Sequence, residues 1–323
     1  MKCLLCGKLI KDSVSEEEKE NCWHFKCIKS FFGTRTMPAL DVSESQLLEL
    51  ENAAVNQSLT VPGVQKKLSL NLAGDADARL TIVDYPTGYI LKPQTKEYAS
   101  LPEFEDLAMR LADLAGIKTV PHALIKMNGE YAYITRRIDR YIKNDIVRSY
   151  AMEDFCQLSN RLTQDKYKGS YENCGRIIRT YSDRPGLDLS ELFLRVAFSY
   201  IIGNSDMHLK NFSLREKEPA NRNFCLSSAY DMLPVNIIMP EDVEQLALTM
   251  NGKRRNIRRT DFVKFAENCN IPAKSANAML NKLCSLSDDF LVQCDQSYLS
   301  DGLKIKTKEL IMQRIDVILT RAV

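Results

Sequence analysis

Between Leu189 and Ile202 apolar residues recur at helical spacing, with Leu192, Phe193, Val196, Ala197, Tyr200 and Ile201 on successive turns. That pattern predicts a buried helix. It stops abruptly at Gly203, and the next eight residues hold Asn204, Asp206, His208, Lys210 and Asn211. Polar groups set beside a core are costly unless they are paired or used, so this junction is the first candidate for function. Polar groups that only cap one another would explain the same residues.

Upstream, the period changes to two. Leu68, Leu70 and Leu72 alternate, and Leu80–Val83 and Gly88–Leu91 flank Asp84–Thr87, which predicts a hairpin. Pro102-Glu103 opens a helix with Phe104, Leu107, Ala108, Leu111, Leu114 and Ala115 on one face, ending at Gly116. Val120–Ile125 and Tyr131–Thr135 flank an Asn128-Gly129 turn. Downstream the reading is helical: from Glu153, over Tyr171–Thr180, and again over Thr260–Asn268, Ala273–Leu286 and Thr307–Thr320. Short strands are expected at Phe212–Leu214 and Phe224–Leu226. The resulting division is a module over 1–33, a connector over 34–54 with a short helix through Leu47, Leu48 and Leu50, a sheet-rich lobe over 55–145 and a helical lobe over 146–323. The backbone from Tyr133 to Arg136 is read as the hinge between lobes.

Composition narrows the classes. A chain of 323 residues with net charge +2 and a pI near 7.9 has no general attraction to nucleic acid or anionic membrane. The opening Met1-Lys2-Cys3-Leu4 has no leader character, no run is long enough to span a bilayer, and ten cysteines lie mostly scattered. A cytoplasmic protein without a membrane contact is expected.

The exception among the cysteines is Cys3, Cys6, His24 and Cys27, two close pairs separated by seventeen residues. Such pairs bring four ligands tetrahedrally around zinc, and about thirty residues lack a core to fold without one. Cys22 is an alternative fourth ligand to His24. With all four positions filled by protein, the zinc is structural.

The polar junction suits phosphoryl transfer from a nucleotide. Asp206 orients an attacking hydroxyl, while Asn211, five positions on, and Asp231 hold magnesium. His208 and Lys210 belong to the same catalytic set; His208 is a chemically sensible base, but the Asp-to-Asn spacing favours Asp206. Lys92, at the end of an apolar strand, meets nucleotide phosphates, and Glu105 in the first turn of the following helix is placed to pair with it. A turn at Pro62-Gly63 would lay the main chain of Val61, Gly63, Val64 and Gln65 over phosphates beside Lys67; an ordinary hairpin turn explains it equally well. Tyr133 completes the nucleotide contacts.

Gly203-Asn204-Ser205-Asp206-Met207-His208-Leu209-Lys210-Asn211 and Ala229-Tyr230-Asp231 resemble the signature of the HipA family of toxin serine/threonine kinases. Ile90-Leu91-Lys92-Pro93, Leu101-Pro102-Glu103-Phe104-Glu105, Ile138-Asp139-Arg140, Glu153-Asp154-Phe155-Cys156-Gln157 and Lys166-Tyr167 extend the resemblance from about Ser58 onward. It implies an α+β, bilobed protein-kinase-like fold that uses ATP and magnesium, with Asp206 as base, Asn211 and Asp231 as metal ligands, and Lys92 on phosphate. It also implies self-phosphorylation near the phosphate loop, where Ser58 and Thr60 are the acceptors, and a charge added there opposes ATP. The family's small domain ahead of the kinase core has no counterpart here; the zinc module stands in its place. As in the shorter branch of the family, a separate small protein is then an expected partner, alongside a helix-turn-helix antitoxin that makes any DNA contact indirect. An aminoacyl-tRNA synthetase is the family-type substrate. A small-molecule kinase and an inactive ATP-binding module are the alternatives.

Overall fold

The computed structural model describes residues 1–41, 67–73, 79–81, 88–143 and 146–320. The chain divides into two units, one of Met1–Asp106 with Val120–Arg148 and one of Leu107–Thr119 with Ser149–Val323.

The first unit is built on a six-stranded sheet: β1 (Ala39–Asp41), β2 (Leu68–Ala73), β3 (Arg79–Thr81), β4 (Tyr89–Pro93), β5 (His122–Met127) and β6 (Glu130–Arg136). Their spatial order is β1-β3-β2-β4-β6-β5, antiparallel except where β1 runs parallel to β3. Three expectations change here. Residues 39–41, inside the expected connector, form a strand. The expected hairpin between Leu80–Val83 and Gly88–Leu91 is replaced, because β2 lies between β3 and β4 and pairs with both. Its alternating Leu68 and Leu70 are both buried, so β2 gains more by pairing on both sides than a local hairpin would give. Finally, the expected hinge at Tyr133–Arg136 lies inside β6, whose backbone is laddered to β4 and β5; the chain passes between units after Asp106, Thr119 and Arg148. The β5–β6 turn is as expected, with Asn128 at φ 51° and Gly129 at φ 83°, the left-handed pair a two-residue hairpin requires.

The amino-terminal residues belong to the same unit. Helices α1 (Glu16–Asn21) and α2 (Phe25–Phe32) follow the first cysteine pair. Trp23 Nε1 donates to the Leu124 carbonyl at 3.1 Å, and the Leu124 amide donates to the Leu4 carbonyl at 3.3 Å. The module thus covers the otherwise open edge of β5. Trp23, Phe31 and Phe32 pack ring on ring, and both phenylalanines meet Tyr89 of β4.

After the β5–β6 hairpin the chain forms a ribbon, β7 (Arg140–Lys143) with β8 (Ile146–Ser149), and the second unit holds a three-stranded sheet. That sheet joins β9 (Met152–Asp154), β10 (Ser213–Glu216) and β11 (Phe224–Leu226) in the order β11-β10-β9. The helices used below are α3 (Leu101–Leu114), α4 (Phe155–Leu158), α5 (Tyr171–Tyr181), α6 (Pro185–Ile202), α7 (Val235–Ile238), α8 (Arg259–Asn268), α9 (Ala273–Cys284), α10 (Ser287–Gln296) and α11 (Asp301–Leu319). Helix α6 is the spine, buried from Leu192 to Ile202 except at Leu194. Phe193 meets Phe262 and Phe265 of α8. Pro185 begins the spine and Gly203 ends it in the left-handed conformation, φ 75°, with the Asn204 amide bonded back to Ser199 at 2.8 Å. That is the geometry of a glycine-terminated helix. Helix α10 was not foreseen, and α11 begins at Asp301 rather than Thr307.

Gly203 is doubly constrained, since a Cβ there would lie 2.5 Å from Leu310 Cδ2 of α11. Gly203→Ala is expected to lose roughly 1–3 kcal/mol of stability from strain and overpacking. Gly186→Ala, whose added carbon meets no neighbouring side chain within 4 Å, should lose no stability. Denaturant unfolding of both variants checks the contrast.

Candidate active site

Where α6 hands the chain to the loop 203–211, each polar side chain is assigned a task. Asn204, fully buried, accepts the Asp206 amide on Oδ1 at 3.1 Å. The Ser205 hydroxyl donates to Asp242 Oδ2 at 2.6 Å. Asn211 Nδ2 donates to the Asp206 carbonyl at 2.9 Å. Asp206 is therefore gripped through its backbone on both sides by asparagine amides, while its carboxylate accepts a hydrogen bond from the Tyr167 hydroxyl. The carboxylate stays reachable, its side chain 40% exposed. Asp231 follows β11 with φ 59°, an uncommon conformation for a non-glycine residue and one that clusters at functional sites. Just before it, the Tyr230 hydroxyl meets Ser213 Oγ at 2.6 Å and donates to the Lys210 carbonyl at 3.1 Å.

His208 is buried, with Nε2 4.0 Å from Asp206 Oδ1 and its ring edge-on to Tyr167. Burial first, and then Lys166, push its imidazole down to about 4. It is neutral at physiological pH and a weak base, which fits ordering of the loop better than proton abstraction. Lys210 is drawn off to Asp154 Oδ2 at 3.0 Å. Asp154 also caps α4, accepting the Gln157 amide at 2.8 Å, so Lys210 ties the loop to that cap.

In the first unit, Lys92 at the end of β4 donates to Glu105 Oε1 of α3 at 2.7 Å, both side chains buried. Its ammonium also sits 5.6 Å from the Tyr133 ring centre, a cation–π distance. Tyr133 is thus a side-chain neighbour of Lys92, with its backbone held in the ladder opposite Lys92. Lys67 is described and exposed. Ser58, Thr60, Val61, Gly63, Val64 and Gln65 lie outside the described residues, as do Leu47, Leu48 and Leu50 of the expected connector helix.

The ligand atoms of Cys3, Cys6, His24 and Cys27 all lie within 4.8 Å of one another. His24 turns Nδ1 to Cys6 Sγ at 3.4 Å and Nε2 to the Leu9 carbonyl at 3.3 Å. One ring nitrogen toward the cluster and the other on a carbonyl is the arrangement of a metal-binding histidine. Cys22, the alternative ligand, instead meets Met1 Sδ at 3.4 Å. Burial, and then Cys3 and Cys6 alongside, push the Cys27 thiol up to about 12.

Sequence reasoning gave no role to Tyr167, Asp154 or Asp242. Tyr167 lies 39 positions from Asp206, and Asp242 lies 37 from Ser205. No local spacing signals such pairs.

Residues 59–289 match the HipA-like C-terminal domain family. The chain belongs to that family. The match takes in Lys92, Glu105, Asp206, Asn211 and Asp231 and leaves the cysteine module outside. A Sinorhizobium fredii protein with the name "Putative kinase Y4mE" is 29% identical over 208 residues, 63% of this chain and 48% of that protein. The chain thus spans about half the length of that relative. A Haemophilus influenzae protein named "Putative kinase" is 25% identical over 270 residues, 76% of each chain. Among solved structures, HipA of Shewanella oneidensis, in a toxin–antitoxin complex with HipB and operator DNA, superposes with TM-score 0.68 at 19% identity. That likeness covers 81% of this chain and 65% of HipA. The Helicobacter pylori proinflammatory kinase CtkA gives 0.53 at 14%, over 77% and 90%. The fold is the mixed α+β fold of these kinases.

A buried ion pair is costly to break singly, by about 3–5 kcal/mol, yet an apolar replacement of both partners is often tolerated. Glu105→Ala is therefore expected to destabilise the chain by roughly that amount. Lys92→Met combined with Glu105→Leu should recover most of the loss, as read by urea unfolding.

Proposed function

We propose that this chain is an ATP- and magnesium-dependent serine/threonine protein kinase of the HipA toxin type. The observation that carries the reading is the Asp206 loop: a reachable carboxylate held by two asparagine amides at the end of a buried helix, in a chain whose other unit buries a strand lysine against a helix glutamate. Asp206 accepts the hydrogen bond of the acceptor hydroxyl and receives its proton as the γ-phosphoryl group leaves ATP. The Asn211 amide oxygen and the Asp231 carboxylate are hard oxygen donors suited to magnesium. With Asn211 Nδ2 committed to the Asp206 carbonyl at 2.9 Å, the amide oxygen is turned away for that purpose. Bound magnesium supplies charge neutralisation on the phosphates. Lys92, steadied by Glu105, contacts phosphate oxygens. Val61, Gly63, Val64, Gln65 and Lys67 supply the phosphate loop, and Ser58 or Thr60 takes the self-inactivating phosphate.

The proposed division is a zinc module over 1–33, a connector over 34–54, a kinase N-lobe over 55–145 and a C-lobe over 146–323. Cys3, Cys6, His24 and Cys27 hold structural zinc, supported by the convergence of their ligand atoms and by the Leu9 carbonyl behind His24. By analogy with the HipA–HipB–DNA complex, the partner is an antitoxin that reads operator DNA, and a separate small protein is a second partner. The substrate is a translation component of the aminoacyl-tRNA synthetase kind, in the cytoplasm. No helix among the described residues is long and apolar enough to cross a membrane.

Incubation with magnesium and labelled ATP, alone and with bacterial lysate, tests the activity. The wild-type chain should label itself or a lysate protein. Asp206→Asn should transfer less than about a thousandth as much while still binding nucleotide, an effect within the range of losing an essential group. Equal labelling by the variant would remove Asp206 from its role. For the module, metal analysis should find about one zinc per chain, the stoichiometry of a four-ligand site. Because Trp23 is the only tryptophan, stripping zinc with a chelator should shift its buried emission to the red. Metal-free protein with unchanged emission would end the assignment.

A further inference from the structure

We propose that Tyr167 is the positioning residue for the Asp206 carboxylate, an inference that rests on the kinase reading above. A carboxylate attached to a gripped backbone still rotates about its own side-chain bonds. Among the described loop residues, the asparagines fix only the main chain of Asp206. The carboxylate accepts a hydrogen bond on Oδ1 from the Tyr167 hydroxyl, and His208 Nε2 lies at the longer 4.0 Å.

Tyr167 is itself held from several directions. Its carbonyl accepts from Arg254 Nη2 at 2.8 Å. Its ring meets the His208 ring edge-on, centres 5.0 Å apart, and Lys166 Nζ lies 5.0 Å from its centre. Arg254 follows a tight hairpin in which Met250 and Lys253 exchange both main-chain bonds, at 2.8 and 3.0 Å. Asn251 and Gly252 take left-handed angles there. Thr249, just before it, accepts the Tyr171 amide at 3.0 Å and donates from Oγ1 to the Gly169 carbonyl at 3.2 Å. The segment 167–171 is therefore stitched to the 249–254 hairpin at both ends, and the hydroxyl it presents to Asp206 is fixed in place. Rigid support of a reacting group within fractions of an ångström is what preorganisation requires, and misplacement by about 1 Å costs on the order of a hundredfold in rate.

The test measures initial rates of γ-phosphate transfer from magnesium–ATP to a fixed amount of bacterial lysate, across ATP concentrations, with the full chain. Tyr167→Phe keeps the ring against His208 and removes only the hydroxyl. It should lower the maximal rate about ten- to a hundredfold, with the apparent KM for ATP and the Tm unchanged. Arg254→Gln, which loosens the support without touching Asp206, should fall between Tyr167→Phe and wild type. A Tyr167→Phe rate within about twofold of wild type, beside an inactive Asp206→Asn, would overturn the positioning role while leaving the kinase reading intact. A Tyr167→Phe protein with a lowered Tm and raised KM would mark the hydroxyl as merely structural, with the same consequence. An Asp206→Asn protein as active as wild type, or a wild-type chain that transfers nothing, would instead overturn the reading on which this rests.

Discussion

A helix that is apolar on nearly every side cannot end in a polar loop without a partner for each group the loop brings beside the core. At the end of α6 much of that requirement is met by main-chain bonds within the loop together with side-chain amides and hydroxyls. Asn204 and Asn211 take up the main chain of Asp206, Ser205 reaches Asp242, and Tyr230 collects the Lys210 carbonyl. Leaving any one of these buried groups unpaired would cost on the order of 1–3 kcal/mol, so the loop has few alternative conformations. Asp206 keeps a reachable carboxylate in this arrangement, and that is the basis for reading the loop as catalytic.

The loop depends on more than its own residues. Asn236 of α7 donates its amide to the Gly203 carbonyl at 3.0 Å and its side chain to the Asp242 carbonyl at 3.1 Å. Arg314 of α11, lying 4.7 Å from the Tyr200 ring centre, donates to Asn236 Oδ1 at 3.2 Å. Helix α11 therefore buttresses the 203–211 loop from behind, through one asparagine. Packing alone would tolerate many residues at position 314; the hydrogen bond and the ring contact together favour arginine.

Much of this was legible in the chain. The 3.6-residue period of 189–202 gave α6, the glycine gave its end, and the Asp206, Asn211 and Lys92 neighbourhoods carry enough ordered motif to point to the family. The pairing of Lys92 with Glu105 follows from a strand end and a first helical turn, both local features. Strand order was not legible. Leu80 and Tyr89 sit either side of a turn-like stretch, and nothing in their own spacing says that β2 comes between them. Nor was the strand at Ala39–Asp41, because three residues carry too little periodicity to separate from a connector. Tyr167, Asp242 and Arg314 act across 37 to 78 positions, a reach that periodicity does not encode.

The hydrogen bond from Trp23 to Leu124 spans 101 positions, and it sets an order of events in synthesis. Residues 1–33 leave the ribosome with Trp23, Phe31 and Phe32 uncovered, since the strands that cover them have not yet been made. Contacts of such sequence separation form late and slow folding. During that interval an amino-terminal knot closed by its own cysteines and histidine would keep three large aromatic rings local, with fewer ways to meet the wrong partner. The cysteine–histidine cluster then serves the growing chain as well as the finished one.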